Sequence, residues 1–68
     1  MLITLNGERR QLPAGATVAT VVELLCDAPA GRGVAVAVGG EVVPRAAWSR
    51  TALEDGAGVE VVAAVQGG

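Results

Sequence analysis

Sixty-eight residues make one small domain, at the size where burial and ordering terms nearly cancel, and leave little room for a large catalytic cleft. The net charge is −2, the pI is near 4.8, and the five cations Arg9, Arg10, Arg32, Arg45 and Arg50 are scattered, which argues against nucleic acid as a partner. The chain has no Lys and no His, so it lacks an ε-amine for Schiff-base chemistry, the commonest general base and the commonest metal ligand.

In chain order, Met1, Ile3 and Leu5 alternate with Leu2 and Thr4, Asn6-Gly7 supplies a strong hairpin signal, and Glu8 to Leu12 returns. Such a two-residue turn needs positive φ at both central positions, which Asn tolerates and Gly favours. Pro13-Ala14-Gly15 breaks the second strand. Thr17 then stands at a helix N-cap before Val18, Val21, Val22 and Leu25 at i, i+3, i+4 and i+7, predicting one short amphipathic helix over about 18 to 26. Its β-branched residues are indifferent helix formers, so packing against a sheet must hold it.

Asp27 to Gly33, with Pro29, Gly31 and Gly33, reads as a loop. Val34-Ala35-Val36-Ala37-Val38 is apolar at every position, as in a strand covered on both faces or one closing against small residues. Gly39-Gly40 turns it back into Glu41-Val42-Val43, and Pro44, which cannot donate to a ladder, ends that strand. Arg45 to Leu53 lacks clear periodicity and reads as a turn or a single helical turn around Trp48. Asp55-Gly56 marks another turn, and Val59 to Ala64 forms the last strand. The order is strand, strand, helix, strand, strand, strand.

The core available to these elements is thin. Apolar residues are 51% of the chain but consist largely of twelve Val and thirteen Ala, with a single Trp and no Phe or Tyr. No catalytic constellation emerges: Glu54 and Asp55 sit in a polar turn, and Gly39-Gly40 lacks the strand–loop–helix setting of a phosphate cradle. Cys26, the only cysteine, excludes an internal disulfide and a thiolate cluster within one chain, and reads as a small apolar residue. Trp48 has two readings, the lid of one end of the core or an anchor for a partner. Arg45 and Arg50 read as solvated, with an acidic partner surface as the alternative. No stretch approaches the roughly 18 apolar residues that span a membrane, and the start is strand-like instead of a basic and apolar leader. A reduced, cytoplasmic, soluble protein is expected.

The chemistry gathers at the end. Gly67-Gly68 closes the chain after Val65 and Gln66, and two residues without Cβ atoms can pass through a channel too narrow for any side chain. Glycine-rich termini are also ordinary in a chain with ten glycines, so the pair alone is not decisive.

Taken together, Asn6-Gly7-Glu8, the helix from Thr17, Glu41-Val42-Val43-Pro44-Arg45 followed by Trp48, Thr51, Leu53, Asp55-Gly56, Val59-Glu60-Val61-Val62 and the ending Ala64-Val65-Gln66-Gly67-Gly68 resemble the ThiS family of thiamine-biosynthesis sulfur carriers, relatives of MoaD. The likeness covers nearly the whole chain. It departs from the family where Gly39 stands after the third strand in place of a frequent Asn, a change within a hairpin turn.

The resemblance implies an α+β, ubiquitin-like β-grasp fold: a small curled mixed sheet on one short helix over 1–64, with 65–68 as a free, flexible diglycine tail. It implies a carrier and co-substrate instead of an enzyme, with no catalytic residue, no metal and no bound cofactor. Gly68 would bear the chemistry: a ThiF-type adenylyltransferase uses ATP and Mg²⁺ to place AMP on its carboxylate, and a persulfide sulfur, supplied by a cysteine desulfurase or similar donor, displaces AMP to give a thiocarboxylate. Thiazole synthase (ThiG) then takes the sulfur. Gly67 would keep the approach free of Cβ atoms, and Val65 and Gln66 would be tail contacts. Docking on the activating enzyme would use an apolar patch on the sheet beside the tail, rimmed by polar groups, whose members the sequence does not single out. The free protein is expected to be a monomer. The other functions in view are a carrier for molybdopterin, tRNA thiolation or another metabolite, a ubiquitin-like modifier of target lysines, and an unreactive β-grasp interaction module.

Overall fold

Asn6 and Gly7 take φ values of 52° and 84°, the positive pair that a two-residue hairpin turn demands. They join β1 (Leu2–Leu5) to β2 (Glu8–Gln11) in antiparallel register from Leu5↔Glu8 to Leu2↔Gln11. The structure is a computed structural model and describes residues 1–25 and 33–63. Beyond the hairpin come α1 (Val18–Leu25), β3 (Val34–Val38), β4 (Glu41–Val43), a 3₁₀ segment over Arg45–Arg50 and β5 (Gly58–Ala63).

These elements follow the expected order. The sheet runs β2-β1-β5-β3-β4, so the last strand enters at the centre: parallel to β1 through Thr4↔Gly58 and Leu5↔Val59, antiparallel to β3 from Val38↔Val59 to Val34↔Ala63. Gly39 and Gly40, at φ 60° and 84°, fold β4 back on β3. Pro44 ends β4 and opens the 3₁₀ segment, so the region around Trp48 is helical over six residues, longer than the turn or single helical turn expected from sequence.

Thr17 caps α1 as anticipated. Its Oγ1 accepts from the Thr20 amide at 3.4 Å while its own amide donates to Thr20 Oγ1 at 3.0 Å, a reciprocal box with Thr in the place usually held by Glu or Gln. The helix start is tied to the chain after the 3₁₀ segment, Val18 N donating to Thr51 O at 3.0 Å and Leu53 N to Ala16 O at 2.9 Å. Its valines then do what weak helix propensity requires: Val18, Val21 and Val22 are buried against the sheet.

The core lies between α1 and one face of the sheet. Ile3, Val36 and Val59, from three adjacent strands, are at most 1% exposed, with Leu5, Leu12, Leu53 and Trp48 closing the edges. Trp48 is 7% exposed and donates from Nε1 to Val43 O at 2.9 Å, the arrangement of a core lid whose one polar atom is satisfied. The Arg45 guanidinium carbon stands 5.8 Å from the centre of its ring. Cys26, most of the 27–33 loop, and the 64/65 boundary between domain and tail lie outside the described residues.

Candidate functional site

The outer face of the sheet is built by the same strands that build the core. In β3 the inward positions are Val34, Val36 and Val38, and the alternate positions Ala35 and Ala37 point away from the helix. In β5, Val59 and Val61 turn inward and Glu60 and Val62 outward; in β4, Val43 packs on the core and Val42 does not. The register sets Ala35 opposite Val62, and Ala37 between Glu60 and Val42.

A shallow apolar depression results, with the two alanines as its floor and Val42 and Val62 as its walls. Val42 is 72% exposed and Val62 60%, high values for β-branched residues on a domain with so thin a core. Glu60 lies in the depression, an acidic side chain in an otherwise apolar lining. The strand of continuous apolar residues is therefore covered on one face only. Its second face is an exposed apolar patch on the sheet.

The patch includes the described end of β5. Val62 is the penultimate residue of β5 and stands six positions before Gly68. From Ala63, five residues at up to about 3.3–3.6 Å each give the terminal carboxylate a reach of about 17 Å. Val65, Gln66, Gly67 and Gly68 lie outside the described residues, so their placement carries no part of the site's geometry.

The course of β5 is fixed at both ends by β1. At its entry, Asp55 Oδ1 accepts from Leu2 N at 2.7 Å and Gly56 N donates to Leu2 O at 2.7 Å, so the Asp-Gly turn predicted from sequence also fastens the start of β1. Toward its exit, the Asn6 side chain bonds both backbone groups of Val61. Sequence reasoning assigned Asn6 to the turn and missed this second role. Its partner is 55 residues away, and no local pattern encodes the pairing.

The remaining candidates resolve into supports. Glu54 is exposed and its carbonyl accepts from Ala57 N at 2.9 Å within the turn. Arg10 pairs with Glu8 at 3.1 Å on the exposed hairpin, a contact of small energetic weight. Among the described residues no group of three His, Cys, Asp or Glu is placed to hold a metal ion, and no helix is long and apolar enough to cross a membrane.

Comparison with known proteins agrees with this architecture. The model of the ThiS family matches residues 3–68. The crystal structure of a thiamine biosynthesis protein (ThiS) from Geobacter metallireducens is 30% identical, with all of both chains covered and a TM-score of 0.84. An NMR solution structure of a thiamine biosynthesis protein from the same organism is 31% identical over all of this chain and 88% of that one, with a TM-score of 0.77. A search of curated proteins gives no match. The five-stranded mixed sheet packed on the short helix α1 is thus a ubiquitin-like β-grasp, and the chain belongs to the ThiS family.

Proposed function

We propose that this protein carries sulfur in thiamine biosynthesis as a thiocarboxylate on Gly68. One observation carries the reading: the family match runs from the first strand through the terminal diglycine, so the end of the chain belongs to the likeness as fully as the fold does. The apolar depression beside β5 supports it, because a protein with so few candidate catalytic groups must present its terminus to another protein.

The chemistry follows from the terminus itself. A C-terminal carboxylate, with an ordinary pKa near 3.3–3.7, is ionised at neutral pH, and its delocalised charge makes it a poor acyl electrophile. In the ThiF-type adenylyltransferase reaction, a Gly68 carboxylate oxygen attacks the α-phosphorus of ATP bound with Mg²⁺ and pyrophosphate leaves. The terminal sulfur of a persulfide, supplied by a cysteine desulfurase or a similar donor, then attacks the acyl carbon and expels AMP. A thiol cleaves the sulfur–sulfur bond, becoming oxidised to a disulfide with the donor, and the thiocarboxylate is released for a thiazole synthase. This protein is the co-substrate throughout. Gly67 contributes the absence of a side chain, Val65 and Gln66 line the approach, and Ala35, Ala37, Val42 and Val62 seat the activating enzyme so that the carboxylate is delivered at high effective concentration.

Intact-mass measurement tests the reading. After incubation with the ThiF-type enzyme, ATP, Mg²⁺ and a sulfur donor, the protein gains the mass of one oxygen-to-sulfur exchange, and fragmentation places it on Gly68. An unmodified carboxylate, under conditions that load an established carrier, overturns the proposal. Adducts on target lysines would instead make the chain a modifier.

A further inference from the structure

The backbone of β1 serves β5 over a short distance. Thr4 N donates to Ala57 O and Asn6 N to Val59 O, both at 2.9 Å, after which the chain swings away through Asn6-Gly7 into β2. Val61 lies two residues beyond Val59 and so presents its N–H and C=O on the same edge of β5, where β1 has no backbone left to meet them. The Asn6 side chain meets them instead. Oδ1 accepts from Val61 N at 2.9 Å and Nδ2 donates to Val61 O at 3.1 Å.

A primary amide carries the donor and acceptor of a peptide group, so this side chain acts as one further residue of the parallel ladder. The left-handed backbone of Asn6, φ 52°, serves the turn while the side chain serves the strand. Few residues combine those two properties: Gly fits the turn without the amide, and Gln carries the amide with far less tolerance of positive φ.

We propose that Asn6 is a positioning residue for the loading of Gly68, because its amide clamp holds the C-terminal part of the described β5 on the β1 side. This inference rests on the sulfur-carrier reading above. Beyond Val61 the described end of β5 pairs with β3 alone, through Ala35↔Val62 and Val34↔Ala63. Among the described residues Val61 is therefore the last point at which the strand is gripped from both sides, seven positions before Gly68 in the sequence. Loss of the clamp frees the β1-side edge of β5 at Val61, the base from which the terminus is presented, and misplacement of a reacting group costs rate directly. The docking face, which β3 and β4 help to build on the other side of β5, does not depend on the clamp.

The test compares Asn6→Gly, which keeps the turn and deletes both bonds, with Asn6→Asp, which keeps an acceptor for Val61 N and loses the donor to Val61 O. Amide hydrogen exchange and steady-state adenylation by the ThiF-type enzyme are read on each full-length chain. In Asn6→Gly, exchange at Val61 accelerates about tenfold while that at Ile3 and Val36 is unchanged. The kcat for adenylation falls about fivefold with KM within about twofold of the original protein. Asn6→Asp lies between the two on both measures. Unchanged exchange at Val61, faster exchange with unchanged kcat, or a rise in KM alone each overturns the inference. Absence of adenylation in the unsubstituted protein overturns the sulfur-carrier reading and the positioning role with it, and so differs from a failure confined to the variants.

Discussion

The two faces of β3 carry one apolar sequence and meet opposite fates. Val34, Val36 and Val38 turn toward α1, and Val36 is 1% exposed, whereas Ala35 and Ala37 floor an open depression walled by Val42 and Val62. Polarity does not distinguish the faces; size does. Large residues go where a helix must be packed, and small residues go where a shallow concavity is left open. Outer-face apolar residues that add little to stability point to an external partner, since burial against one is how they would contribute.

The contrast is sharpest at the core's edge, where Trp48 had both a structural and a partner-binding reading. At 7% exposure, with its indole N–H bonded to Val43 O, it belongs to the inner side. Trp48→Ala is expected to cost about 3–5 kcal/mol. A domain of 68 residues at about 0.05–0.15 kcal/mol per residue holds about 3–10 kcal/mol in all, so the variant should lose from about a third to all of its stability, read as a large fall in the urea midpoint. A folded variant that has lost only its affinity for the activating enzyme would move Trp48 to the binding side.

A smaller effect separates two residues of the β3–β5 ladder that lie on opposite faces of the sheet. Val36→Ala removes two methyl groups from the sealed face and should cost about 2 kcal/mol in urea unfolding. Val62→Ala deletes the same atoms from the outer face and should cost about 0.5–1 kcal/mol, through strand preference alone. Equal costs would mean that the two faces are not energetically distinct.

The features legible in the sequence are those whose cause is local. Asn6-Gly7, Gly39-Gly40, Asp55-Gly56 and Pro44 each demand a particular backbone within two or three residues, and each punctuates the fold where expected. The helix was legible from its valine spacing and Thr17, although Thr20 as the reciprocal cap was not. Pairings across the chain left no such mark. Nothing near Asn6 indicates Val61, and the placing of β5 between β1 and β3 depends on contacts spread over the whole domain. The apolar patch escaped for a different reason: in Val-Ala-Val-Ala-Val, polar alternation is missing, and it is polar alternation that normally tells a solvated face from a covered one. Gly67 and Gly68 were singled out from sequence alone, and their residues lie outside those described.

The finest division of labour is between stability and recognition on the outer face itself. Val42→Thr combined with Val62→Thr replaces one methyl by a hydroxyl at each wall of the depression, keeping shape and strand preference while making the surface polar. Because both side chains already face solvent, the unfolding midpoint in urea should move by less than about 0.5 kcal/mol equivalent. Desolvating two hydroxyls without partners is costly in a docked complex, so the KM for adenylation should rise about tenfold while kcat stays within about twofold. The direction of that split sets these valines apart from Asn6, whose loss is expected in kcat. An unchanged KM would remove the depression from the docking surface and leave the activating enzyme to grip another part of the domain.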